Sequence, residues 1–404
     1  MTELNSREND PLRSDVSSPP DLSPEILSSA EPLEIRDFVD ESSVEQARPE
    51  TPSDIAVPAD GPRCWHCGIG EALGWWFGTL LVHILAGAAI AIVLIVNNVV
   101  SGKARPVDIQ DPKSMMILTA GEMTLFALAA ILAVSLRFWG RMFNELNFSR
   151  PDPRHVWMVI AGTLPLTFCI SVWSMPIKLG WDTLGEMFPI LKMIDGANTM
   201  ELIKGMADTT PLWVMIISIA VMPAIGEELV FRGAIGRTLI ANLGLWGGVL
   251  LTSFLFGWMH LHPVHALAVM PLGLVMHVVY LWTRSFWLPM LLHFVNNVWA
   301  TVAAQYSKVD PVGNGDSLNL LEGLEMVTAI IAVVALGYGL WQSRVRLVTE
   351  DGRPWDPGRF PLRVPTDPGV HSQANSINPW CWGLALVSSV LCHVMVVMDL
   401  MSLS

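Results

Sequence analysis

An all-α polytopic membrane protein of about nine transmembrane helices, preceded by a disordered acidic tail, is the fold class this chain predicts. Three observations carry that expectation. The 404 residues are 52% hydrophobic and only 15% charged, whereas soluble domains carry roughly 25% charged residues. The apolar residues come in charge-free runs, 72–102 and 238–283 among them, and a bilayer is crossed by a helix of ~20 residues. The acidity is concentrated at one end. Residues 1–63 hold fifteen Asp and Glu against five Arg, which accounts for −10 of the net charge of −13.

Taken in order, residues 1–63 are rich in Ser, Pro, Asp and Glu. Such a segment cannot bury enough apolar surface to offset the entropy of ordering, so it reads as disordered. It also lacks the basic start and apolar stretch of a secretory signal. The first transmembrane helix is expected at 73–96, followed by 116–138, 155–175 and 209–234. The run 238–283 has room for two helices turning at His262 and Pro263, and further helices fit 286–306, 323–343 and 380–400. Residues 178–208 mix charges with Leu, Ile and Met at helical spacing, as an interfacial amphipathic segment does. The chain therefore divides into a tail (1–63), N-terminal helices with the interfacial segment (64–208), a core (209–306) and C-terminal helices (307–404).

Orientation follows from Lys and Arg, which accumulate in cytoplasmic loops. With the tail inside, the cytoplasmic side holds twelve Arg outside the tail and the opposite side seven Lys and Arg. A multi-pass protein with a cytoplasmic N-terminus is expected, and the plasma membrane is the expected location. No basic cluster is present to neutralise phosphates, so nucleic acid is not an expected partner. Cys64 and Cys67 enclose His66, but a structural zinc site takes four ligands and no second cysteine pair follows. Cys169, Cys381 and Cys392 lie in apolar runs and read as small hydrophobes.

Ionisable groups within a membrane segment cost about 2.5–3.5 kcal/mol each on insertion scales, so their presence points to a task. Glu227 and Glu228 follow an apolar run, with Arg232 four residues after Glu228, where the two can pair on one helical face. His260 closes the run 253–259, and His293 and Asn297, four apart, share a face of the helix at 286–306. His83, His155, His277 and His393 read instead as histidines hydrogen-bonded to neighbouring helices.

In sequence, Glu227-Glu228-Leu229-Val230-Phe231-Arg232 is an EExxxR, Phe256 to His260 an FxxxH, and His293 to Asn297 an HxxxN. Together, in this order and with Gly233 after Arg232, they resemble the type II CAAX prenyl endopeptidases, the CPBP or Abi family of intramembrane proteases, over about 209–305. The resemblance implies a four-helix catalytic core that hydrolyses a peptide bond. Glu227 and His260 would activate water, His293 and Asn297 would stabilise the oxyanion, and Glu228 and Arg232 would support them. It implies a peptide or protein substrate, with or without a lipid, met in the bilayer. Asn297 is a poor zinc ligand and Arg232 would pair one carboxylate and repel a cation, so no metal and no cofactor are expected. A non-catalytic immunity, scaffold or transport factor of the same fold is the alternative.

Other protease signatures give no rival reading. No HExxH occurs, and Gly313-Asn314-Gly315-Asp316 spells the GxGD of aspartyl intramembrane proteases only in a polar loop. One geometric difficulty remains. With straight helices His260 would sit ~22 Å along its helix, far from Glu227 and His293, so the hairpin at His262 and Pro263 is expected to stop short within a wet cavity.

Overall fold

Helix boundaries follow from capping chemistry written into the sequence. The Asp111 carboxylate accepts from Ser114 N at 3.2 Å ahead of Pro112, and Asp152 accepts from Arg154 N at 2.8 Å ahead of Pro153. An acidic cap satisfies N–H groups that the first turn leaves over, and proline at the first position has none to lose. The Arg154 side chain, hydrogen-bonded to the same carboxyl, holds Asp152 below its ordinary range.

The computed structural model of the chain describes residues 68–102, 108, 111–197, 199–306, 320–358, 361–373 and 375–402. They belong to the unit Cys64–Ser404. Eight long helices run through them: α1 Ile69–Val100, α2 Pro112–Arg137, α3 Pro153–Met187, α4 Leu212–Trp258, α5 Pro263–Thr283, α6 Trp287–Tyr306, α7 Leu320–Gln342 and α8 Pro379–Ser402. A short antiparallel pair, Arg346–Val348 with His371–Gln373, is the sheet found among the described residues. The acidic tail, Cys64, Cys67 and the Gly313–Asp316 tetrapeptide lie outside the described residues.

Among the described residues, seven helices are long and apolar enough to cross a bilayer, against about nine expected. Both differences have a physical source. α4 continues through 47 residues where two helices were expected, although Gly244, at φ +75, breaks it into arms 212–243 and 245–258. That backbone angle is open to glycine at little cost. α6 carries His293, Asn296, Asn297 and Gln305, which lower its hydropathy below that of its neighbours. The segment 178–208 is divided among three helical pieces. α3 continues past Pro176 to Met187, a 3₁₀ helix follows at Pro189–Ala197, and a short α-helix at Thr199–Ala207.

The loops that the Lys and Arg tally placed on one side are gathered at one end of the bundle. Arg137 Nε donates to Glu71 at 2.7 Å, Arg237 donates to Glu145 O, and Tyr280 Oη donates to Leu146 O at 2.6 Å. Asn147 donates to Arg284 O, and Arg284 in turn donates to Pro361 O at 2.6 Å. The residues 145–149, 280–287 and 361–363 thereby form one hydrogen-bonded knot.

Prolines explain how the helices are fastened to one another. A proline inside a helix lacks the N–H that would reach the carbonyl four residues back, and within a membrane that carbonyl must be satisfied from elsewhere. Pro165 releases Ala161 O, which accepts from Ser389 Oγ at 2.7 Å. Pro271 releases Leu267 O, which accepts from Trp173 Nε1 at 3.2 Å. α3 is thus joined to α8 and to α5. The apolar core fills the space between, with Trp76, Phe126, Met158, Phe231, Phe256 and Leu288 in one buried cluster.

Candidate active site

Glu227 and Glu228 end a short α-helical stretch, Met222–Glu228, set between two π-helical stretches at Ile216–Val221 and Leu229–Ile235. π turns are rare and concentrate at functional sites. Pro223 contributes the same chemistry as the prolines above, since it removes the donor that would reach Ile219 O. That carbonyl accepts from Asn297 Nδ2 at 3.1 Å. α6 is therefore registered against α4 by one of the residues the sequence singled out.

The buried centre is an ion-paired chain. Glu228 and Arg232 are 0% and 1% exposed, and Arg232 Nη1 donates to Glu228 Oε1 at 2.8 Å. Arg232 Nη2 donates to Gly273 O on α5 at 2.9 Å. His293 Nδ1 lies 2.9 Å from the same Glu228 oxygen, and its Nε2 lies 3.8 Å from Glu227 Oε2. One imidazole therefore sits between the two carboxylates. Glu228 fixes its ring through Nδ1, and Nε2 is turned toward Glu227.

His260 joins this group through an aromatic residue. Phe256 meets His260 and His293 edge to face, each at 5.7 Å between ring centres, and the Arg232 guanidinium lies over its ring at 4.7 Å. His260 Nδ1 lies 3.3 Å from Gly257 O, and its ring stacks on His265 at 4.5 Å. The Gly244 break makes this juxtaposition possible. It leaves the arm 245–258 only ~21 Å long, short of a full crossing, so His260 lies at the depth of the glutamates. Gly257 has no side chain where the Ala266 carbonyl of α5 comes close, which lets the two arms of the hairpin touch.

The six residues predicted from sequence are thus brought into one neighbourhood at the meeting of α4, α5 and α6. Sequence reasoning missed Phe256 as the common contact, and it missed Asn296, whose Nδ2 donates to Asn297 Oδ1 at 3.2 Å while its own Oδ1 accepts from Thr167 on α3 at 2.9 Å. The signals were available, since the phenylalanine opens the FxxxH and the asparagines are adjacent. Of the four histidines read as structural, His83 pairs with Glu122 at 2.7 Å and His155 with Ser343 at 2.9 Å across helices. His393 bonds Ser389 O within its own helix at 2.8 Å, and His277 Nδ1 is buried without a hydrogen-bond partner.

All three motifs fall within one stretch that a protein-family comparison picks out. Residues 209–299 match the Rce1-like family, type II CAAX prenyl endopeptidase Rce1-like. The Rce1-like segment covers α4, α5 and most of α6, the elements that carry the polar cluster, so this part of a multi-pass membrane chain is similar to a family of the intramembrane-protease kind. No curated protein and no solved structure matches the chain.

Proposed function

We propose that the protein is an intramembrane endopeptidase of the CAAX-processing type that hydrolyses its peptide bond with a glutamate-activated water and no metal. The observation that carries this reading is the placement of His293 between Glu227 and Glu228 inside the Rce1-like segment. Glu227 accepts a proton from water with His260 beside it, and the resulting hydroxide attacks the scissile carbonyl carbon. The oxygen of that carbonyl gains negative charge, which hydrogen-bond donors in a dry site stabilise strongly. The second N–H of the Asn297 amide is the donor nearest to hand, the first being occupied by Ile219 O, and His293 Nε2 joins it when the ring carries both protons, since Nδ1 donates to Glu228. The proton taken by Glu227 passes to the departing amine. Glu228 and Arg232 hold the His293 ring in place.

A guanidinium bonded to one carboxylate opposes a divalent cation at the same spot, which favours the metal-free form. The test uses the protein in proteoliposomes with a prenylated CAAX peptide. Wild type should release the C-terminal tripeptide, and Glu227→Gln should lose the activity, a change of ~10²–10⁴ in rate for a missing general base. Exhaustive chelation should leave wild-type activity intact. Cleavage by Glu227→Gln at the wild-type rate, or activity that vanishes on chelation and returns with added zinc, would overturn the mechanism.

A further inference from the structure

Asn297 belongs to a chain of hydrogen bonds that crosses three helices. Its Nδ2 donates to Ile219 O on α4 at 3.1 Å, and its Oδ1 accepts from Asn296 Nδ2 at 3.2 Å. Asn296 Oδ1 accepts in turn from the Thr167 hydroxyl on α3 at 2.9 Å. The two asparagines lie within the Rce1-like stretch 209–299, whereas Thr167 lies outside it. Its helix is fastened on either side of it, by Ser389 Oγ at Ala161 O and by Trp173 Nε1 at Leu267 O. The hydroxyl therefore projects from a held stretch of backbone.

An asparagine amide turns about its last torsion at little cost, and half a turn exchanges its oxygen with its NH₂. Here the end of the chain decides which way each amide faces. Ile219 O is a carbonyl and only accepts, so the Asn297 atom against it is Nδ2. Asn297 Oδ1 is then left toward Asn296 and needs a donor, which Asn296 Nδ2 supplies. Asn296 Oδ1 is left toward Thr167, whose hydroxyl can give. The reversed chain fails at its last contact, because Asn297 Oδ1 would meet the Ile219 carbonyl with no proton between them. The hydroxyl has one proton and two acceptors in reach, Thr163 O at 2.8 Å and Asn296 Oδ1 at 2.9 Å. Thr163 O also receives the Thr167 N–H within the helix, so the hydroxyl proton goes to Asn296.

We propose that Thr167, acting through Asn296, is a positioning residue that fixes which way the Asn297 amide faces, and this rests on the hydrolytic reading in which the second Asn297 N–H donates to the oxyanion. With Oδ1 held by Asn296 and one N–H held by Ile219 O, the N–H that remains is the one offered to substrate. An amide turned the other way would place its oxygen where the substrate carbonyl gains charge, and repulsion would replace stabilisation. Thr167 acts through two side chains and does not touch the reacting atoms. Its contribution is to keep the donor aimed before substrate arrives, which spares the site a reorganisation during the reaction.

The test is steady-state cleavage of the prenylated CAAX peptide by the full-length protein in proteoliposomes, with kcat and KM determined for each variant. Thr167→Val puts a methyl in place of the hydroxyl, and kcat should fall roughly 3–10-fold, the effect of one hydrogen bond, with KM nearly unchanged. Thr167→Ser keeps the hydroxyl and should restore kcat. Asn296→Leu breaks the chain at its middle, should lower kcat at least as far, and serves if Thr167→Val fails to fold. On an Asn297→Ala background, Thr167→Val should lower kcat no further, because no amide is left to orient. A merely structural threonine would lower it by the same factor on both backgrounds. Wild-type kcat in the folded Thr167→Val or Asn296→Leu variant, or an equal loss on both backgrounds, would overturn the proposal and leave the oxyanion role of Asn297 standing. Wild-type kcat in Asn297→Ala alone would overturn that role and the proposal with it.

Discussion

Arg232 illustrates how much a single membrane-buried residue can decide. It is paired with Glu228, bonded to Gly273 O and laid over Phe256, so its removal strands a buried carboxylate. Arg232→Met should destabilise the protein by about 3–5 kcal/mol, and adding Glu228→Gln should recover part of that loss. Melting of the two variants in the same detergent checks it. Asn297 makes a separate case. Asn297→Ala removes the proposed oxyanion donor together with the tie to Ile219 O, and on that reading the rate should fall by ~10²-fold or more. A comparison of kcat with KM separates the two effects, because a lost oxyanion donor lowers kcat and leaves KM nearly unchanged. The i,i+4 spacing of Glu228 with Arg232 and of His293 with Asn297 made these residues legible, since helical geometry alone puts each pair on one face. That His293 would bridge both glutamates was not legible. It depends on the relative depth of two helices, which spacing within either one does not set.

At the level of the element, the prolines were visible in the sequence and their consequence was not. Pro165, Pro223 and Pro271 each free a carbonyl, but the donor that reaches it comes from a helix distant in sequence. Ser389→Ala and Trp173→Phe should each cost on the order of 0.6–1.7 kcal/mol, the range of interhelical hydrogen bonds in membranes. Steric trapping or reversible unfolding in mixed micelles would measure it, and losses indistinguishable from zero would show that water or a shifted backbone serves these carbonyls as well. The existence and order of the apolar helices were readable because length and hydropathy determine them. The break at Gly244 was not, since it lies among the five glycines at 233–248 that look alike in sequence, Gly233, Gly236, Gly244, Gly247 and Gly248, and only one adopts a positive φ.

For the whole molecule, the knot of loops at one end fixes which segments share a side of the membrane, and the Lys and Arg bias adds the expectation that this side is cytoplasmic. On a background with the native cysteines replaced by serine, cysteines at Arg150 and Arg353 should resist an impermeant thiol reagent in intact cells. Cysteines at Lys113 and Lys192 should react. The reverse pattern would invert the protein without disturbing the fold. The bond between Ser389 and Ala161 has a further consequence for biosynthesis. The carbonyl that Pro165 exposes is made 228 residues before the hydroxyl that satisfies it, which at ~5–20 residues per second is a delay of about 10–45 s. During that interval α3 carries an open acceptor into the lipid. The closing hydroxyl sits on α8, so the tie between α3 and α8 waits until Ser389 has entered the membrane, and the α3 carbonyl must find another donor in the meantime.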